Sequence, residues 1–517
     1  MNKIYTLLSV LLISSCQLLS LEPDFVTPET TYKTEDDVLA ALTGTYNALM
    51  GRYNRLYNGP YYTHMSVSDE FYFTSYQPAQ DIRIYSFDAS DTEVQKMWAG
   101  LYQCISRANY LIHHVAKSGL DSEKVMAYVG EAKFLRAYSY FLLVTQFGSV
   151  PMPLEPTFSP DSRYFLPQSS IREIYAQIEK DMKEAEAVVL DITDLPTNER
   201  ISVTGVQAVL ARVYMSMAGQ PLMETARYKD AAEYCEKVIS SEMHDLNPDY
   251  KQIFINQIKN ISEPKECIWE IAAHGNNLSG EVQAGQLGIV NGISCVSEEV
   301  GYSSGSIRTP IKLWNSFMGE NDTRRDWCIA SYYYKQKEGT LDVEKIDWPD
   351  TKIWERYPGK WRREYEEGVK AKSFNSTNFP VIRYADVLLM KAEAMNAIRK
   401  GPNYEAYLLV NQVRKRALGK DAAGYELPGE LDYQQFLDAI KKERMVELCF
   451  EGIRKTDLLR WGDLIGNVRE MGKGLKEYFP NNSYYLVGEN ISERNLFFPI
   501  PTAEYSMNKN IKQNNGW

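Results

Sequence analysis

The chain has 517 residues and a formal net charge of −11, so it offers no basic field to draw in nucleic acid. Its length suits one large domain or two to three ordinary ones. Seven cysteines form no C-x-x-C or other close pair, which argues against a zinc site and against a dense disulfide framework. The six beyond Cys16 read as small buried hydrophobes. Tyrosine is the outlier, at 36 against 18 Phe, 9 Trp and only 5 His. It joins an apolar face to a polar tip and suits wet binding surfaces, although packing between helices uses it too.

The chain starts with Lys3, an apolar run from Ile4 to Ile13, then Ser14-Ser15-Cys16. A short basic start, a brief apolar stretch and small residues make a secretory signal, and the run is too short to span a bilayer, which needs ~20 apolar residues. Ile13-Ser14-Ser15-Cys16 resembles a bacterial lipobox. That implies a signal peptide over 1–15, a diacylated Cys16 and a tether over 16–30. Several acyl chains on one residue anchor stably. Residue 17 is Gln rather than Asp, so the inner-membrane retention signal of enterobacteria is absent and an outer-membrane tether is expected.

Long helical patterns follow. Residues 123–148 carry apolar side chains at three- and four-residue spacing and stop at Gly148. Residues 170–189 are amphipathic, with Ser170 placed to cap three residues before Glu173. The pair 203–219 and 227–239 has the small-residue and tyrosine rhythm of a tetratricopeptide unit: Ala211, Tyr214, Gly219, Tyr228, Ala231. It returns at 383–398 with 403–417, and a final helix is expected over 432–462. Two stretches escape this pattern, 51–92 and 274–380, rich in Gly, Pro and Tyr. Long loops of this kind are usually functional.

Five blocks then become specific: "WAGLYQCISRANYLI" (98–112), "GEAKFLRAYSYFLLVTQFGSVPM" (130–152), "PVIRYADVLLMKAEAMN" (380–396), "ERMVELCFEGIRKTDLLRWG" (443–462) and "FPIPTAEYSMNKNIKQNNGW" (498–517). In this order they resemble the SusD/RagB family of outer-membrane nutrient-binding lipoproteins. The resemblance implies a mostly α fold, an irregular scaffold of tetratricopeptide-like helix pairs with large loop-rich insertions, as one domain over 31–517. Within the blocks, Arg383, Glu393, Arg444, Glu447, Glu451, Arg454 and Asp457 read as ion pairs holding helices in register rather than as acid–base catalysts. Trp461 and Trp517 read as packing aromatics.

The resemblance further implies an oligosaccharide ligand held without hydrolysis. A pyranose has an apolar C–H face for an aromatic ring and a hydroxyl rim for polar side chains. "SVSDEFYFTSYQ" (66–77) resembles the family's acidic "T-D-E" region, with Asp69 and Glu70 as the acids and Phe73 and Tyr76 near the stacking position. Tyr72 and Arg83 in the same loop are further candidates. "IDWPDTKIWERYPGKWRREYEEG" (346–368) gathers Trp348, Trp354 and Trp361 among prolines and reads as a loop carrying aromatics. Its Arg356, Arg362 and Arg363 read as a solvated basic rim or as readers of carboxylated sugars. Tyr302, in the glycine-rich "VGYSSG" (300–305), is a third candidate.

No H-E-x-x-H, G-x-S-x-G or P-loop is present, and His113 and His114 diverge on their helix. No enzyme, metal or cofactor is expected. The reading is a lipid-anchored outer-membrane protein, facing outward, that captures a glycan and passes it to a SusC-like TonB-dependent transporter. A peptide-capturing RagB-like member and a tetratricopeptide scaffold protein are the alternatives.

Overall fold

The computed structural model describes residues 32–50, 56–59, 61–156, 166–275, 284–419 and 424–517. The signal, tether and Cys16 readings lie outside the described residues.

Helix α1 (Glu35–Met50) leads into α2 (Thr92–Ser118) and α3 (Glu123–Phe147). Ser122 starts α3 by accepting from the Val125 N–H, and Gly148, at φ +71°, ends it. Almost every side of α3 is buried, as a helix packed on all faces must be. It touches α1, α2 and α4 (Ile171–Glu186). The expected capping box of α4 is present: Ser170 caps Glu173, and Glu173 reaches back.

The chain of packed helices continues through α5 (Val203–Ala218) and α6 (Arg227–Ser240), the first tetratricopeptide-like pair. Tyr214 and Tyr234 fill the gap between them, with ring centroids 5.5 Å apart. From α6 the contact passes directly to α10 (Tyr384–Arg399), which packs on α11 (Tyr404–Leu418) and α12 (Tyr433–Glu447). Everything between α6 and α10 is therefore an insertion, including α7 (Tyr250–Ile258), α8 (Ile311–Ser316) and α9 (Arg325–Cys328). Its stem is closed by an antiparallel pair, Cys267–Ile271 with Phe379–Arg383.

The helix expected over 432–462 is in fact two. After α12 the backbone turns at Phe450 (φ +65°) and Gly452 (φ +73°), and α13 (Arg454–Trp461) starts afresh. Nor is it final, because α14 (Leu464–Tyr478) and shorter pieces follow. The break turns Glu447 and Glu451 toward the insertion stem, where Arg383 meets Glu266, Glu447 and Glu451 at 2.6, 3.1 and 2.8 Å.

Those motif charges are a buried lattice. Glu447 also receives Arg416 (2.6 Å) and Arg324 (3.0 Å), and Lys360 meets Glu451 at 2.6 Å. Burial alone would raise the Glu447 carboxyl, but Arg416, Arg383 and Arg324 outweigh it and hold it far below the usual carboxylate range. A second lattice joins Arg444 to Asp386 and Asp457, and Arg460 to Asp457 and Glu393. Apart from Arg460–Asp457 within α13 and the neighbouring Arg444–Asp457, these pairs join segments far apart in sequence, as a register-setting role requires. All six described cysteines are buried and unpaired as disulfides. The terminal Trp517 packs on Phe87 and donates to the Arg494 and Phe497 carbonyls.

Candidate functional site

The two loop regions meet on a short ladder. Strand β1 (Tyr72–Phe73) pairs antiparallel with Ile307–Arg308, setting Tyr72 opposite Arg308 and Phe73 opposite Ile307. Thr74 extends it by donating its N–H to the Ser306 carbonyl at 3.0 Å. Beyond the ladder, a hairpin of Tyr332–Gln336 and Val343–Asp347 projects from the insertion.

Several sequence candidates prove to be structural, and these are corrections. Asp69 is fully buried, with both oxygens on Arg454 at 2.8 and 2.9 Å. Glu70 beside it is buried and accepts from the Phe450 N–H at 3.1 Å. Burial pushes its carboxyl up to about 8. Tyr72 is buried, and its hydroxyl donates to the Trp354 carbonyl at 2.6 Å. Phe73 packs edge-on to Phe71. Trp354 is buried against Tyr72 and over Gly474, where there is no side chain to block it. Trp361 donates its indole N–H to Gln257 at 2.9 Å inside the core. Aromatic bulk at these positions buys burial, and nothing in a single sequence separates a buried tryptophan from a displayed one.

The supposed basic rim is packed inward as well. Arg356 is buried over the Trp314 ring, and Arg363 holds Glu366 together with the Tyr302 and Ala371 carbonyls. Arg362 ties down the Gly359 and Asp326 carbonyls. These side chains pin the loop in place.

Four candidates keep accessible surface. Tyr76 is half-buried and bonded to Ser483 Oγ at 2.7 Å. Arg83 is half-buried, paired to Asp81 and set over the Phe73 ring. Tyr302 is half-exposed under the Lys372 ammonium, 5.0 Å from the ring centroid. Trp348 sits at the foot of the hairpin between Tyr333 (centroids 4.4 Å) and Tyr357 (6.1 Å), all three half-exposed.

That tract ends on Arg308, whose guanidinium lies 3.8 Å over the Tyr357 ring. Gly305 makes the approach possible: at φ +55°, a Cβ there would come within 2.8 Å of both Ser294 Cα and the Tyr357 ring. Tyr333 and Arg308 lie within 274–380 but outside its two candidate segments, and Tyr357, though within 346–368, is not among the candidates named there. Three separate segments bring them together, and no local spacing announces such a meeting. A second group of rings, Tyr478, Phe479 and Tyr484, packs on Tyr72 and Trp354. The larger clefts among the described residues open elsewhere. One of about 720 Å³ lies beside Trp98, Tyr102 and Tyr110, and one of about 360 Å³ lies beside Tyr175 and Phe497. The tract thus gathers three partly exposed rings, with Arg308 over the last of them.

Comparison with known proteins agrees with the architecture. Residues 265–517 match the family described as SusD family, and residues 18–215 match one described as "Starch-binding associating with outer membrane". SusD-like protein P25 of Formosa agariphila is 26% identical, covering 98% of each chain. The starch-binding protein SusD of Bacteroides thetaiotaomicron is 24% identical over 86% of this chain and 82% of its own. The crystal structure of a SusD homolog from Bacteroides thetaiotaomicron superposes with a TM-score of 0.87 at 26% identity, over 95% of this chain and 98% of that one. The helix-pair scaffold, the motif charges locked in its lattices and these matches along nearly the whole length lead to one conclusion: the chain belongs to the SusD/RagB family.

Proposed function

We propose that this protein is a cell-surface receptor for an oligosaccharide, which it takes on the Tyr333–Trp348–Tyr357 tract and passes on unchanged. The observation that carries the reading is a row of three half-exposed rings on the loop face, Trp348 in contact with Tyr333 and Tyr357. Rings so placed cover the C–H faces of sugars. A platform without enclosing walls gives modest affinity, which suits capture followed by release. The relative named for binding starch supports a saccharide as the ligand.

On this reading Cys16 carries the lipid anchor in the outer membrane, and the recipient is a SusC-like TonB-dependent transporter. No described helix is long and apolar enough to cross a membrane, which is compatible with anchoring by lipid. No bond chemistry is assigned to the protein. Tyr76, Arg83 and Tyr302 stand as further contacts around the platform.

The test is a binding screen of the purified protein against a broad glycan panel beside a peptide pool. Binding to one glycan class, weakened in Trp348→Ala, supports the reading. Binding to peptides alone moves the protein to the RagB-like, peptide-capturing alternative.

A further inference from the structure

We infer that the glycan is acidic and that Arg308 reads its carboxylate or sulfate. The inference rests on the saccharide reading above and adds the ligand's charge. Arg308 differs from the other arginines of the loop face in what its guanidinium has left to offer. Arg362 also forms no ion pair among the described residues, but its Nε and Nη2 are both spent on the Gly359, Asp326 and Trp327 carbonyls. Arg83 is neutralised by Asp81, and Arg363 by Glu366. Arg356 is buried with its guanidinium on Trp314.

Arg308 is half-exposed and forms no ion pair among the described residues. Its Nη1 donates to the Gly305 and Ile307 carbonyls, the second at 3.0 Å. Its Nη2 donates once, to the Tyr357 hydroxyl at 3.1 Å. A guanidinium has five N–H donors, so the Nε–H and one Nη2 hydrogen are uncommitted. Adjacent donors of this kind match the two oxygens of a carboxylate or sulfate.

The surroundings make the charge available. Its aromatic neighbours, Tyr357, Tyr72 and Tyr484, supply ring faces and hydroxyls; the one carboxylate acting on it, Glu355, makes no ion pair with it and is engaged by Lys352, and burial lowers the arginine's pKa. A neutral sugar hydroxyl could accept one of the free hydrogens, yet it would leave the charge without an ion pair. An anionic group on a sugar held beside the tract satisfies both hydrogens and the charge together.

The experiment is calorimetric titration of the detergent-solubilised full chain with three sets of probes. Oligogalacturonates, alginate oligomers and glucuronate-containing oligomers form the carboxylate arm. Carrageenan oligosaccharides form the sulfate arm, and laminarihexaose, maltohexaose and fully methyl-esterified oligogalacturonate form the neutral arm. The expected result is that one acidic probe binds at least ~10-fold more tightly than its neutral counterpart, with an affinity that falls several-fold between low and high salt. Arg308→Gln should abolish that preference, and Arg308→Lys should keep part of it. The acid-against-ester comparison in the unaltered protein stands even if Arg308→Gln disturbs the loop through the Gly305 and Ile307 carbonyls. Neutral probes binding as tightly as acidic ones, or better, overturns this inference and leaves the saccharide reading intact. Silence from all three arms overturns both.

Discussion

The helix lattice and the loop platform treat the same side chain in opposite ways. At the insertion stem, Arg383 meets three carboxylates and has no exposed surface. On the platform, Arg308 meets rings and carbonyls and remains half-exposed. The first arrangement fixes how distant segments assemble; the second leaves charge and aromatic surface unspent. The difference separates scaffold from proposed site more cleanly than residue type does, because both regions are rich in Arg, Trp and Tyr.

The sharpest break is at the lattice. Arg383→Met strands Glu266, Glu447 and Glu451 without their shared cation, and should cost about 3–5 kcal/mol of stability. A fall in the urea midpoint measures it. Glycan affinity of the fraction still folded should be unchanged.

Next comes pH. Glu70 has a folded-state pKa of about 8 against an ordinary 4.5, raised by burial. Its stabilising contribution is therefore full below the unfolded value and is lost as pH rises through 8, by an amount on the order of a few kcal/mol. Glu70→Gln cannot ionise, so its stability profile between pH 5 and 8.5 should be flat where the parent's falls. Chemical denaturation across that range decides it. Glu447 and Asp386 act in the other direction: arginines overcome burial and hold both carboxyls low, so their contribution is lost only as pH drops below the ordinary carboxylate range.

The platform should answer with smaller numbers and in binding alone. Trp348→Ala removes the middle ring and should weaken glycan binding roughly tenfold, about 1.4 kcal/mol. Thermal stability should barely move, because the ring is half-exposed. Smallest is Gly305→Ala, whose added methyl presses on the Tyr357 ring. Affinity should drop by a few-fold, read by the same titration.

Much of the scaffold was legible in the sequence because its signals are local. Ser170 and Glu173 announce a helix start three residues apart, and the tyrosine rhythm at 214 and 228 announces a helix pair. Charges at Arg383, Glu447 and Asp457, set among apolar positions, had to find partners in the interior, and they do. The turn at Phe450 was hidden because a non-glycine residue adopts the left-handed conformation there, against its usual preference.

The proposed site was legible only in part. Of the three tryptophans in 346–368, Trp348 keeps accessible surface, while Trp354 and Trp361 went to the core. Burial is decided by what packs across from a side chain, here Tyr72 for one and Gln257 and Phe254 for the other. Arg308 and Tyr357 lie nearly fifty residues apart and meet where the Thr309 N–H donates to the Arg356 carbonyl at 3.1 Å, a single backbone bridge that leaves no periodicity to read.

The most direct test of the account is to remove two of the three rings of the platform, the middle one and the one under Arg308. Trp348→Ala with Tyr357→Ala is titrated with whichever glycan the parent binds, alongside Tyr110→Ala at the larger, separate cleft. The account predicts that binding is lost in the double variant and kept in Tyr110→Ala. Binding kept in the double variant and lost in Tyr110→Ala would place the ligand in that cleft and contradict it.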